Sequence, residues 1–359
     1  MPADLTRRTF VKNLAAIGAG TVVAPLLAKD SAPKIKLGID NFSVRAMGWK
    51  AAQLLDYAAT RKLDTLFISD LDAYESLEDA ALREVQKKAD DLGIALYAGS
   101  WSICPTSTVF KNKWGTAEEH LSTGIRVAKA LGSPVFRCVL GTMADRKTEG
   151  GIRARIADTV KVLKASRTRA LDAGVQISIE NHAGDMHSWE LIDLIGEAGK
   201  DFVGVNIDSG NAAWTLEDPL DLLERLGPFT NCSSLRDDMI WETPDGCAVQ
   251  WTAMGDGLVD WKKYVARWAV LCPSVPIQIE TISGFAKTFD YKKPEFWEHY
   301  DKRPDVLERF EALAKRGHAI PPFKAPDGAD KKAAEQDYQR EQIGRSIRYC
   351  RETLGLGGR

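Results

Sequence analysis

Apolar residues alternate with polar ones over Val175, Ile177 and Ile179, and the alternation stops at Glu180-Asn181-His182. A run of this kind reads as a buried strand whose last residue is released at its end. The pattern recurs at residues 203–208, closing on Asp208, and at 276–280, closing on Glu280. Further strands are predicted at 35–40, 65–70, 94–100, 134–140 and 232–237. Between them, periodic apolar positions predict helices at 49–61, 77–92, 117–131, 152–173, 189–198, 220–226 and 261–270, with a last helix at 336–354. Strict alternation of strand and helix argues for an α/β fold with a parallel sheet covered by helices. Eight such units in about 320 residues argue for a closed (β/α)8 TIM barrel over an open doubly wound sheet. No Gly-rich dinucleotide fingerprint follows the first strand, which points the same way.

Two stretches depart from the repeat. Residues 241–257 are expected as a long loop, and residues 281–330 interrupt the last unit between the eighth strand and the final helix. The insertion holds Phe285, Phe289, Tyr291, Phe296, Trp297 and Tyr300, a charged helical pattern near 306–315 and a Pro-rich exit. Its aromatics serve either as a sugar platform or lid on the rim, or as the insertion's own small core. Trp101, Trp114, Trp214, Trp241 and Trp251 also fall in or near rim loops, and stacking on sugar faces and a homo-oligomer interface both remain open for them.

The N-terminus changes the picture of the compartment. Arg7-Arg8-Thr9-Phe10-Val11-Lys12 precedes a mild, uncharged, Ala- and Gly-rich run over residues 14–27. A basic stretch, a short weakly apolar segment and a small-residue exit are expected of an export signal, here of the twin-arginine type. Residues 1–32 are therefore set apart from the barrel domain at 33–359, which is expected in the periplasm with no stable membrane span once the signal is removed. The formal net charge of -2 gives no electrostatic case for nucleic acid or an anionic membrane. Six scattered cysteines without a CxxC pair read as core thiols.

A parallel barrel opens all its strand C-termini on one face, so Asp40, Asp70, Arg137, Glu180, Asp208, Asp237 and Glu280 converge there. Buried acids need partners or a cation. The competing arrangements are a divalent-metal site on three of them and a salt-bridge ring with Arg137, Arg236 and lysines. His182, two residues past Glu180, points to the same side and is expected to bind substrate or complete a metal shell.

Glu180-Asn181-His182, the run Asn206-Ile207-Asp208-Ser209-Gly210-Asn211, Ser234-Leu235-Arg236-Asp237-Asp238, residues 255–261 and Gln278-Ile279-Glu280 together resemble the sugar-phosphate isomerase/epimerase family, the xylose-isomerase-like barrels. The resemblance covers about residues 34–280 and the final helix. It implies a divalent ion such as Mn or Mg held by Glu180, Asp208 and Glu280, with Ser234 standing where the family has its histidine ligand. Asn211 likewise stands where ketose epimerases often carry a substrate-binding histidine.

These readings converge on an exported, metal-assisted sugar isomerase or epimerase that moves a proton beside the carbonyl of a small, non-phosphorylated carbohydrate. Glu180 and Glu280 are expected to face each other across the substrate carbon as the catalytic acids and bases. His182, Asn211, Arg137, Arg236 and Asp237 are expected to bind substrate, with an arginine and the metal stabilising the enediolate. Epimerisation, isomerisation and β-elimination all follow from that intermediate. A glycoside-cleaving enzyme using two carboxylates and a non-catalytic sugar-binding barrel, suggested by Ser234, are the alternatives.

Overall fold

A computed structural model describes residues 35–359 except Phe285. The expected export signal, residues 1–32, lies outside the described residues. Residues Lys34–Arg359 form one compact unit.

Eight parallel strands form the barrel wall: β1 Leu37–Asp40, β2 Thr65–Ile68, β3 Ala95–Ser102, β4 Val135–Val139, β5 Gln176–Glu180, β6 Val203–Ile207, β7 Thr230–Ser233 and β10 Ile277–Ile279. The helices between them are α1 Ala51–Thr60, α2 Asp79–Leu92, α3 Ala117–Ala130, α4 Gly151–Ala173, α5 Ser188–Ala198, α6 Pro219–Leu226 and α7 Trp261–Leu271. The (β/α)8 expectation holds. Local chemistry sets the boundaries. Thr116 and Glu119 close a reciprocal capping box on α3, and Asp218 with Pro219 starts α6. Gly93 and Gly174, at φ 65° and 67°, end α2 and α4 in the left-handed conformation that a side chain resists.

The seam between β7 and β10 matters most for the site. One parallel bridge, Leu235 to Ile279, joins the two strands, with Leu235 N donating to Gln278 O at 2.7 Å and Glu280 N donating to Leu235 O at 2.9 Å. Residues 234–236 are thereby held beside Glu280.

The seventh strand is shorter than expected and stops at Ser233. Asp237 instead begins β8 (Asp237–Thr243), which turns back as β9 (Gly246–Thr252), so most of the expected loop at 241–257 is an antiparallel hairpin. The insertion adds a third strand, β11 (Ala286–Phe289), beside β9, and a helix α8 (Pro304–Ala314). Phe289, Tyr291 and Phe310 are buried in a second core with Ile240 and Val249. These three insertion aromatics pack that core. The final helix α9 (Lys331–Glu352) returns to the barrel. The six cysteines are buried and free.

Candidate active site at the barrel rim

Inward-facing positions at the strand ends build a layer of acids and arginines. Glu180 lies opposite Asn206 across the β5–β6 pair. It accepts from Arg137 Nε at 2.5 Å and from Asn206 Nδ2 at 2.8 Å. Arg137 Nη1 also donates to the Ser100 carbonyl at 2.8 Å. Asp208, one residue past β6, accepts from the backbone of Gly210 and Asn211 at 2.9 and 3.2 Å and from Asn211 Nδ2 at 2.7 Å. Arg236 donates through Nε to Asp208 Oδ1 at 3.1 Å, while its Nη2 contacts both Asp208 Oδ2 and Glu280 Oε2, the latter at 2.6 Å. The salt-bridge ring is therefore built, and it is made of the same acids that were expected to bind a metal.

Oxygens of Glu180, Asp208 and Glu280 lie within 4.8 Å of one another. That spacing suits a hard cation, yet the donor set does not. Arg236 Nη2 already occupies the space between two of the acids, and Arg137 neutralises the third. Ser234, at the expected third-ligand position, donates to Asp40 at 3.4 Å and accepts at 3.2 Å from the Asn206 Nδ2 that also serves Glu180, so its hydroxyl is already engaged. As arranged, the residues do not fit a divalent ion, because a buried guanidinium cannot deprotonate to make way for one.

Burial pushes the Glu280 carboxyl well above its ordinary range, Arg236 only partly opposing it. Burial likewise lifts Asp208 to about 7, against the pull of Arg236, and raises Asp40. Burial also works against the charge on Arg137 and Arg236, but the surrounding acids outweigh it and both are held more firmly cationic than usual. Four acids (Asp40, Glu180, Asp208, Glu280) thus face two guanidinium groups, and burial favours the protonated form of three of them, Asp40, Asp208 and Glu280.

A cavity of about 490 Å³ opens onto this layer, a size that suits a small sugar. Arg137, Arg236, Glu280, His182 and Asn211 line it, with Trp101, Trp114 and Trp251 as apolar walls. Arg236 Nη1 and Asn211 Oδ1 are buried with no hydrogen-bond partner among the described residues. His182 is oriented by its Nδ1, 2.6 Å from the Gly141 carbonyl. A carbonyl only accepts, so Nδ1 carries the proton and Nε2 is left as an acceptor. Burial, the largest effect, keeps the ring neutral by lowering its proton affinity. Trp101 meets it edge-on at 5.1 Å between centroids.

Two expected site residues take other roles. Glu180 is fully buried and does not line the cavity. One oxygen of Glu180 lies within 4.8 Å of one of Glu280, so the two acids belong to one charge layer. Glu180 instead positions Arg137. Asp237, expected at the substrate, accepts from the backbone of Gly255, Gly257 and Val259 at 2.9, 3.1 and 3.2 Å and from Trp261 Nε1 at 2.8 Å. It anchors the loop that follows the hairpin.

His120 lines the cavity without having been singled out in the sequence. Its Nε2 pairs with Ser100 Oγ at 2.8 Å, and burial lowers it to about 4, so it is neutral. It falls on the buried face of α3 with Ala117, Leu121 and Gly124, where periodicity reads it as core. Lys111 also lines the mouth, on a loop without periodicity.

Comparison with known proteins places this geometry in context. The family described as xylose isomerase-like TIM barrel matches residues 43–267. A 3-oxo-isoapionate decarboxylase of Pectobacterium atrosepticum is 21% identical over 173 residues, 48% of this chain and 55% of that protein. The chain thus spans about half the length of that curated relative. Among solved structures, D-psicose 3-epimerase in the presence of D-fructose is 17% identical, covering 90% of this chain and 100% of that one at TM-score 0.58. The IOLI protein with a binding zinc atom is 13% identical, covering 86% and 99% at TM-score 0.55. At such identities the solved structures attest the fold alone.

Proposed function

The chain belongs to the xylose isomerase-like TIM barrel family, and on that basis we propose that it is an enzyme moving a proton beside the carbonyl of a non-phosphorylated sugar or keto-sugar. The observation that carries this reading is one wall of the cavity, where Glu280, Arg236 and the acceptor nitrogen of His182 open onto the same space. Burial shifts them in opposite directions, favouring the protonated form of Glu280 and the neutral form of His182. Such a split marks an acid and a base. His182 Nε2 takes the proton from the carbon, the guanidinium groups stabilise the oxygen of the resulting enediolate, and Glu280 returns a proton. Return to the other face is epimerisation, return to the neighbouring carbon is isomerisation, and departure of a β-substituent is elimination. A curated relative is named as a decarboxylase of a 3-oxo compound, and chemistry beside a carbonyl here is in keeping with that name.

The twin-arginine pattern at Arg7-Arg8 supports export to the periplasm, where free sugars outnumber phosphorylated metabolites, and the net charge of -2 supports a small-molecule partner over nucleic acid. The test is incubation of the protein with a panel of free ketoses, aldoses and keto-sugars in D2O, followed by NMR. Deuterium entering beside a carbonyl, lost in Glu280→Gln and His182→Gln, is expected. Cleavage of a glycoside with no exchange on any free sugar would overturn the reading.

A further inference from the structure

We infer that Arg236 is the cation of this active site and that the barrel works without a bound divalent metal. The inference rests on the proposed site and says which group neutralises its acids and receives the developing negative charge.

The seat of Arg236 is built for a guanidinium. A Cβ at Gly210 would lie 2.2 Å from Arg236 Cγ and 2.6 Å from its Cδ, so residue 210 must lack a side chain for the arginine to lie there. The Trp251 ring covers the guanidinium at 4.1 Å, Trp214 stacks behind Trp251 at 5.1 Å, and Trp251 Nε1 donates to the Gly210 carbonyl at 3.1 Å. Ser209 Oγ holds the arginine's backbone in both directions, donating to Arg236 O at 2.6 Å and accepting from Arg236 N at 3.0 Å. Ser209 and Gly210 on one segment and Trp251 on another thus fix Arg236 between Asp208 and Glu280.

Charge balance agrees. The two guanidinium groups, Arg236 on Asp208 and Glu280 and Arg137 on Glu180, bring the same two positive charges that one divalent ion would. Ser234 then needs no nitrogen donor and turns to Asp40 and Asn206. A metal site also keeps a position open for substrate oxygen. Here Arg236 Nη1, buried and unpartnered, is the equivalent. A carbonyl oxygen placed there accepts its hydrogen bond, and as the proton leaves the adjacent carbon for His182 the electron pair moves onto that oxygen. Glu280 then gives its proton to the carbon, and the proton held on His182 leaves to solvent while Glu280 takes one up, which restores both groups with no oxidant or Lewis acid required.

The test measures metal directly on the full chain. Elemental analysis of the purified protein is expected to find no stoichiometric divalent metal, and EDTA is expected to leave its melting temperature and any D2O exchange unchanged. Arg236→Met removes the cation and leaves three carboxylates, so Mn2+ titrated by calorimetry should bind it about 100-fold more tightly than wild type. If Arg236→Met does not fold, the pair Ser234→His and Ser234→His/Arg236→Gln decides, with Mn2+ expected on the double variant alone. Near-stoichiometric metal in wild type that is lost in Glu280→Gln, or Mn2+ binding to Ser234→His with Arg236 present, would overturn the inference. These measurements need no substrate. Failure to exchange any sugar would sink the proposed reaction and leave the metal result standing, and the reverse holds equally.

Discussion

Two buried ionic networks built from the same residue types lie side by side in this barrel and behave in opposite ways. At the rim, Arg236 is shared by Asp208 and Glu280, burial raises both acids, and Arg236 Nη1 and Asn211 Oδ1 are left without partners. Beneath the start of α5, Glu217 receives Ser188 N and Ser188 Oγ, Thr215 Oγ1 at 3.0 Å and Arg225 Nη2 at 2.8 Å, with His187 Nδ1 at 3.4 Å. Burial would raise Glu217 too, but the neighbouring His187 side chain, the charge of Arg225 and the Ser188 hydroxyl outweigh it and hold it down at about 2. Next to it, Arg146 pairs with Glu190 and lies 4.1 Å over the Tyr300 ring. A buried acid whose oxygens are all met is structure. One that shares its cation, keeps its proton and opens on a cavity is available for chemistry.

Single substitutions can break that contrast. The largest effect is expected from Glu217→Ala, which strands the buried donors of Ser188 and Thr215 and takes the partner from half-buried Arg225. Removing one partner of a buried pair costs about 3–5 kcal/mol, seen as a lower denaturation midpoint in urea. The folded fraction should retain its exchange rate per molecule. Glu280→Gln should do the reverse. It replaces an acid that holds its proton by a neutral amide of the same shape, so the urea midpoint should barely move while deuterium exchange falls by about 10²–10⁴. If the two variants exchanged roles, with Glu280→Gln unstable and Glu217→Ala inactive, the assignment of structure and chemistry would be inverted.

Much of the barrel was legible because each βα unit writes its own period, and the parallel sheet then carries Glu180, Asp208 and Glu280 to one rim. Arg137 and Arg236 were also visible as rim charges. Their pairing with the acids was one of two competing readings, and what could not be read was the seat that favours it, made for Arg236 by Gly210 and Trp251, distant in sequence from it and from each other. Asp237 was misread for a similar reason. Its partners are backbone N–H groups 18 to 22 residues later, which carry no side-chain signature. The hairpin at 237–252 was hidden because both faces are covered, leaving no alternation to detect. Gly210→Ala probes this unreadable part. Its Cβ collides with Arg236, so a loss of about 1–3 kcal/mol is expected together with slower exchange. A variant with wild-type stability and exchange would show that Arg236 has another place to sit.

The smallest effect separates the two networks by the sign of their pH dependence. Glu217 folds with its carboxyl at about 2, below its ordinary 4.5, so the unfolded chain binds its proton first as pH falls. Its stabilisation is complete above pH 4.5 and is lost as the pH drops toward 2. Between pH 5 and 4 that amounts to about 0.7 kcal/mol. Asp208 is raised instead, to about 7 from 3.8, so the folded chain keeps the proton longer. Its contribution is complete below pH 3.8 and is lost as the pH rises through about 7. Urea midpoints of wild type, Glu217→Gln and Asp208→Asn across pH 4 to 7 read both slopes as differences, which cancels every other titrating group. The advantage of wild type over Glu217→Gln should shrink between pH 5 and 4, while Asp208→Asn should gain on wild type from pH 4 to 7. A loss of ground by Asp208→Asn over that range would mean that Asp208 is ionised in the folded barrel. Arg236 alone would then overcome its burial, and Asp208 would be held ionised as firmly as Glu217 is beneath α5.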